Sequence, residues 1–281
     1  MYKEGFFRTL FVSDLDGTLL NKDQVLSAYT QKTLNFLISE GVLFTYATAR
    51  SFTTAREVTK GLDTRLPVIV YNGAFIVDAE SRQTVMARHF ADAEKEEILA
   101  LFLAHKVYPR VYALHDGVEA FSYEEEHLSQ GTRAYLAKRL GDKRARPTSI
   151  DRLIDGDVFC FSAIDDHEKL LPLYERVKEK YHAVLYRDPY TNDFWLEVLP
   201  KLATKASAVM ALKEFYQADR VVVFGDEKND LSMFSVADAC YAVENANSEV
   251  KQMANDVIAS NDSDGVAKFL LFHYEEYCNT K

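Results

Sequence analysis

The sequence predicts an α/β fold in which a parallel-sheet core is interrupted by an inserted α+β domain. Three observations predict it. Short apolar runs at 10–12, 42–48, 67–73 and 220–226 end in polar residues or glycine, and two shorter runs follow at 239–243 and 256–259. Segments with helical spacing separate them, and strands apolar on both faces belong to parallel sheets covered by helices. Between the third and fourth runs that rhythm gives way to hairpins mixed with helices, the pattern of an antiparallel sheet with helices on one side.

The first run, Leu10-Phe11-Val12, stops at Asp14 and Asp16, one residue apart. Alternate side chains of an extended chain share a face, so both carboxylates can point into one space. Gly17 lets the backbone turn out of the strand. Ser27 suits an N-cap, Leu34, Leu37 and Ile38 recur at helical spacing, and Gly41 ends that helix. The strand at 42–48 ends in Thr48-Ala49-Arg50, a helix fits 53–60, and the strand at 67–73 ends in Asn72-Gly73. The insertion reads as helices at 91–106, 124–139 and 167–181 and a strand at 158–163. It adds one hairpin, 110–114 with 118–122, and a second, 183–187 with 194–199. The boundaries read as 1–78 and 195–281 for a discontinuous core and 79–194 for the insert. A helix at 206–216 precedes the fourth run, and the aromatic-rich end, 269–277, reads as a packing helix.

The chain has 281 residues, enough for one large domain or two ordinary ones, and 18 Phe and 16 Tyr can fill a substantial core. A formal charge of −10 argues against nonspecific binding to nucleic acid or to anionic membranes. It leaves an anionic substrate open, because a bound metal reverses the local field. Cys160, Cys240 and Cys278 are far apart and form no CxxC pair, which points to a reducing compartment rather than a disulfide framework or a zinc site. The start lacks the long apolar region of a signal peptide, and no apolar stretch approaches the roughly 20 residues of a membrane span. A cytoplasmic protein is the expectation, with no protein partner indicated.

Four of the apolar runs deliver polar groups at their carboxyl ends: Asp14 and Asp16, Thr48, Asn72, and Asp226 with Asn229 and Asp230 just beyond. In open parallel sheets the ligand crevice lies outside the carboxyl ends of the strands, so these residues converge on one rim. Asp14, Asp16, Asp226 and Asp230 packed together repel, and at least one pKa rises unless a cation neutralises them. An oxygen-rich site without His or Cys suits a hard ion, Mg²⁺ above all. Lys205 adds a positive charge, and together these groups make a receptacle for a phosphoryl group.

In that order, Asp14-Leu15-Asp16-Gly17-Thr18, Thr48, Lys205 and Gly225-Asp226-Glu227-Lys228-Asn229-Asp230 resemble the four motifs of haloacid-dehalogenase-superfamily (HAD) phosphatases. The insertion between Thr48 and Lys205, the Asn72-Gly73 pair and the stretch 261–266 resemble the Cof-type sugar-phosphatase branch, which carries a large α/β cap of the second type. The resemblance covers nearly the whole chain. It implies a Rossmann-like HAD core, a cap closing over the crevice, and Mg²⁺-dependent hydrolysis of small phosphorylated metabolites, sugar phosphates or similar, through an aspartyl-phosphate. It implies Asp14 as nucleophile and Asp16 as the acid and then the base. The ion would be bound by Asp14, the Asp16 backbone carbonyl and Asp226, with Asp230 behind. Thr48 and Lys205 would grip the phosphoryl oxygens, with Asn72, Gly73 and Asn229 beside the substrate. His115, Asp116, Tyr190 and Asn192 are candidate cap contacts.

Blander structural roles stand beside these. Thr48 could N-cap the next helix, Lys205 could be a solvated helix residue, Asn72-Gly73 only a turn, and Asp230 an N-cap for 231–236. Glu124–Glu126 reads as a solvated helix start. Two departures from the family pattern are Ala49 and Ala206, where glycine is usual. The alternative functions are a phosphosugar mutase, which returns the phosphoryl group to a sugar, and a non-catalytic phosphometabolite-binding protein. The intact Asp14/Asp16 pair argues against the latter, since binding alone does not require both.

Overall fold

In the computed structural model, which describes residues 7–188 and 191–278, the first apolar run forms β1 (Thr9–Ser13), buried along its whole length. Ser27 caps α1 (Ala28–Ser39) by accepting from the Thr30 N–H, and Leu34, Leu37 and Ile38 form its buried face. Then come β2 (Leu43–Tyr46), α2 (Phe52–Val58) and β3 (Val68–Val70). The sequence missed the next two strands, β4 (Phe75–Val77) and β5 (Thr84–Ala87), which build an antiparallel three-stranded sheet on β3.

The chain next forms α3 (Asp92–Ala104), β6 (Arg110–His115) and β7 (Val118–Tyr123), followed by α4 (Gln130–Ala137), β8 (Ala145–Pro147) and β9 (Asp157–Asp165). It continues with α5 (His167–Val177), β10 (His182–Arg187) and β11 (Phe194–Leu199). These strands form one sheet in the order β10-β11-β9-β6-β7-β8, antiparallel except where β7 meets β8. One face of it is an apolar core in which Phe102, Val111, Phe161, Leu173 and Val198 are buried. The expected helix at 124–139 is shorter: α4 begins at Gln130, and Glu124 is a buried turn residue rather than a solvated helix start. Tyr190 lies outside the described residues.

The parallel rhythm resumes with α6 (Lys205–Phe215), β12 (Arg220–Gly225), α7 (Leu231–Phe234), β13 (Ala239–Val243), α8 (Ser248–Met253), β14 (Asp256–Ile258) and α9 (Gly265–Cys278). The central sheet is parallel in the order β14-β13-β12-β1-β2, with β3 joined to its edge by a parallel bridge between Ala47 and Ile69. β1 and β12 are interior strands of this sheet, and side chains on both of their faces are buried, which is why their residues are apolar in both directions. The described residues divide into two compact units, one up to Ala87 and again from Ala203, the other Arg88–Leu202. Both boundaries fall later than the change of rhythm at 78 and 194 suggests. β5 pairs with β4 on the first side, and β11 completes the sheet of the inserted unit on the second.

Candidate active site

Register brings the acids together. Ser13 on β1 lies beside Phe224 on β12, and the Asp14 N–H donates to the Phe224 carbonyl at 2.9 Å, so the two strands release their acidic loops side by side. Gly17 turns the first loop with φ of +78°, and a Cβ there would run into the Asp226 carboxylate. The adjacent Thr18 hydroxyl donates to Asp226 Oδ1 at 2.7 Å. Asp230, on the turn after β12, accepts from the backbone N–H groups of Asp226 and Glu227 at 2.9 and 3.0 Å through Oδ2. Its Oδ1 accepts from Lys205 Nζ at 2.7 Å, and the same ammonium donates to Asp14 Oδ1.

Lys205 opens α6, whose N-cap is the Thr204 side chain, and it is 1% exposed. It is therefore no solvated helix residue. Nor does Thr48 cap α2. Ser51 does that, while the buried Thr48 hydroxyl accepts from the Arg50 N–H at 3.1 Å. Tyr71, Asn72 and Gly73 all have positive φ, a strained run of the kind that persists where the surroundings over-determine it. Gly73 packs so close to the Thr204 carbonyl that no Cβ fits, which ties this turn to the start of α6. The Asn72 N–H donates to the Thr48 carbonyl at 2.9 Å, and its Oδ1 accepts from Asn229 Nδ2 at 3.1 Å. Asn72 and Asn229 thus bridge the loops of Thr48 and Asp230.

Burial dominates the electrostatics. It raises the Asp14 carboxyl well above the usual carboxylate range; Lys205 opposes this, while Asp230 and Asp226 add to it. Asp226 is pushed up to about 7 by burial and then by Asp230, against the hydrogen bond from Thr18. For Lys205 burial works against the charge, yet Asp14 and Asp230 outweigh it and hold the ammonium above its ordinary range. One ammonium facing several carboxylates leaves an excess of negative charge in a low-dielectric place. Asp14, Asp226 and Asp230 bring oxygens within 4.8 Å of one another. All-oxygen donors with unrelieved negative charge fit a hard divalent cation such as Mg²⁺.

The Asp16 side chain does not join this group. Its carboxylate is held by Arg50, Nε to Oδ2 at 2.7 Å and Nη2 to Oδ1 at 2.5 Å. Sequence reasoning gave Arg50 and Thr18 no role, although both stand in the polar segments that follow buried strands, and that position was the available signal. His115 and Asp116 lie at the β6–β7 turn of the inserted unit, and Asn192 lies between β10 and β11.

A family profile described as haloacid dehalogenase-like hydrolase matches residues 11–270. A Bacillus subtilis relative, the 5-amino-6-(5-phospho-D-ribitylamino)uracil phosphatase YwtE, is 31% identical over 92% of this chain and 95% of its own. A second B. subtilis protein with the same described activity, YitU, is 27% identical over 93% and 96%. Among solved structures, one from Thermotoga maritima superposes with a TM-score of 0.76 at 26% identity, covering 95% of this chain and 97% of its own. Among the described residues no helix is long and apolar enough to cross a membrane.

Proposed function

The chain belongs to the haloacid dehalogenase-like hydrolase family and is a phosphatase of phosphorylated small molecules, and from that premise we propose Mg²⁺-dependent hydrolysis through an aspartyl-phosphate on Asp14. The observation that carries this reading is the buried Lys205 ammonium shared by Asp14 and Asp230 beside Asp226. Asp14, Asp226 and the Asp16 backbone carbonyl would hold the ion, with Asp230 orienting Lys205 and the loop of Asp226 from behind. Bound there, Mg²⁺ supplies charge neutralisation and Lewis acidity toward the phosphoryl oxygens.

The chain's own groups do the rest. The Asp14 carboxylate attacks phosphorus in line with the departing oxygen. Lys205 and the Thr48 hydroxyl bind the phosphoryl oxygens and offset charge as it develops. Asp16 protonates the leaving alkoxide and later accepts a proton from water. Asn72, Gly73 and Asn229 fix the loops that carry these groups and border the substrate. The inserted unit would serve as the cap, and His115, Asp116 and Asn192 on its turns are the residues to vary for substrate preference. The activity named for YwtE and YitU makes a phosphorylated polyol joined to a pyrimidine the first substrate to try, ahead of simple hexose phosphates.

Phosphate release from p-nitrophenyl phosphate, with and without Mg²⁺, tests the reaction. The expected result is metal-dependent release that falls by about 10⁴-fold or more in Asp14→Asn. A panel of 5-amino-6-(5-phospho-D-ribitylamino)uracil and sugar phosphates then tests the substrate class. No release from a folded, metal-loaded wild type on any of these would remove hydrolysis and favour the mutase or binding readings.

A further inference from the structure

We infer that Arg50 is a positioning residue, holding the Asp16 carboxylate for the step in which water resolves the aspartyl-phosphate. This rests on the phosphatase reading above. Arg50 grips both oxygens of Asp16, at 2.7 and 2.5 Å, and its Nη2 also donates to Gln24 Oε1 at 2.8 Å. The Asp16 side chain is 44% exposed, so unheld it would spread over several rotamers. A half-exposed ion pair adds little stability. What a guanidinium fork adds is direction, because two parallel N–H donors fix the plane of the carboxylate.

Arg50 is itself anchored. Its N–H donates to the Thr48 hydroxyl at 3.1 Å, and its carbonyl accepts from the Tyr71 N–H at 3.0 Å. Gln24 stands at φ of +58° on a turn closed by the Asn21 N–H to the Val25 carbonyl at 3.1 Å. The guanidinium therefore ties the loop bearing Asp16 and the turn after it to the loop bearing Thr48. All these residues belong to the same compact unit.

The carboxylate plane fixed in this way serves the second half of the reaction. There a water oxygen bonds to phosphorus. The bond from phosphorus to the Asp14 oxygen breaks, its electron pair returns to the Asp14 carboxylate, and the water proton passes to Asp16. One N–H contact of Arg50 gives way as that proton arrives.

Stopped-flow measurement with p-nitrophenyl phosphate and Mg²⁺ separates the halves, since nitrophenolate departs without needing a proton. In Arg50→Ala the first turnover should stay within about 3-fold of wild type, giving a nitrophenolate burst stoichiometric with enzyme. Steady-state turnover should then be about 10- to 100-fold lower, the cost of a misplaced reacting group. Asp16→Asn should show the same burst, and added methylguanidinium should restore the steady state of Arg50→Ala. Arg50→Lys keeps the charge without the fork and should show a weaker version, carrying the test if Arg50→Ala does not fold. An unchanged steady state, a slowed turnover without a burst, or a raised KM alone would overturn the inference. Asp16→Asn lacking the burst would overturn it too. An inactive wild type would remove the phosphatase reading and this inference together. An active, Asp14-dependent wild type with flat Arg50 variants would remove only the inference.

Discussion

Asp14, Asp226 and Asp230 bring carboxylate oxygens within 4.8 Å of one another, and Glu124, Glu126 and His127 bring their ligand atoms within the same limit. The two groups are made differently. The first draws on loops after two neighbouring strands, and in it burial pushes Asp14 and Asp226 toward the neutral form. The second lies within one turn of chain. There Glu124 already accepts from the Glu126 and His127 N–H groups at 2.8 and 3.0 Å and meets the His127 ring nitrogen at 2.8 Å. Burial would raise its carboxyl, but those hydrogen bonds win and hold it below the usual range. Proximity of acids is common to both; unrelieved charge belongs to the first alone. Asp230 behaves in part like Glu124, since two backbone N–H groups occupy one of its oxygens. For that reason it is assigned a place behind the ion.

Breaking each group in turn gives the largest contrast. Asp226→Asn should lower Mg²⁺-dependent turnover by about 10³-fold or more, while Glu124→Gln should leave it within about 2-fold. Steady-state assays with p-nitrophenyl phosphate decide it. Comparable losses in both variants would mean that the inserted unit's cluster takes part in the chemistry.

Thermal stability against pH sharpens the same comparison. The folded Asp226 carboxyl titrates at about 7 against an ordinary 3.8, so between those values the native state binds the extra proton. Stability of the metal-free protein then falls as pH rises through that window, by on the order of 2–4 kcal/mol. Mg²⁺ binds the ionised form and should raise the melting temperature by about 5 °C more at pH 8 than at pH 5. Glu124 has the opposite sign. Its depressed pKa contributes stability above the unfolded value that is lost as pH falls through the folded one. Glu124→Gln should therefore cost about 1 kcal/mol at pH 7 and progressively less as pH falls below the ordinary glutamate range. A metal-free melting temperature that climbs from pH 5 to pH 8 would contradict the assignment of the triad.

The contrast also explains what could be read from the chain. Alternating apolar runs and helical spacing located β1, β2, β12 and β13, because strands buried on both faces leave little choice of residue. The acids at their ends were legible for the same reason: a charge directly after a buried run is placed by the run. β4 and β5 escaped because they are short and the outer one, 84–87, is largely exposed and gives no apolar signal. Glu124 was misread because a buried turn and a helix start share the same acidic pattern, and only the backbone N–H groups it accepts from distinguish them. The pairing of Arg50 with Asp16 joins positions 34 residues apart and depends on rotamers, which local pattern does not encode.

The smallest expected effect concerns the two alanines at positions where the family usually has glycine. Glycine would be required there if the backbone were left-handed or a neighbour stood against the Cβ position. Neither Ala49 nor Ala206 is among the residues with positive φ, and Ala49 is exposed between Thr48 and Arg50. Its methyl therefore neither strains the chain nor displaces a packed atom, and what it does is restrict the unfolded state. Ala49→Gly should lower stability by about 0.5–1 kcal/mol through added chain entropy. Turnover of p-nitrophenyl phosphate should stay within about 2-fold, because Thr48 remains held by its N–H to the Ile69 carbonyl at 3.0 Å. A gain of about 10-fold or more, with stability unchanged, would instead show that the methyl obstructs the approach of the phosphoryl group.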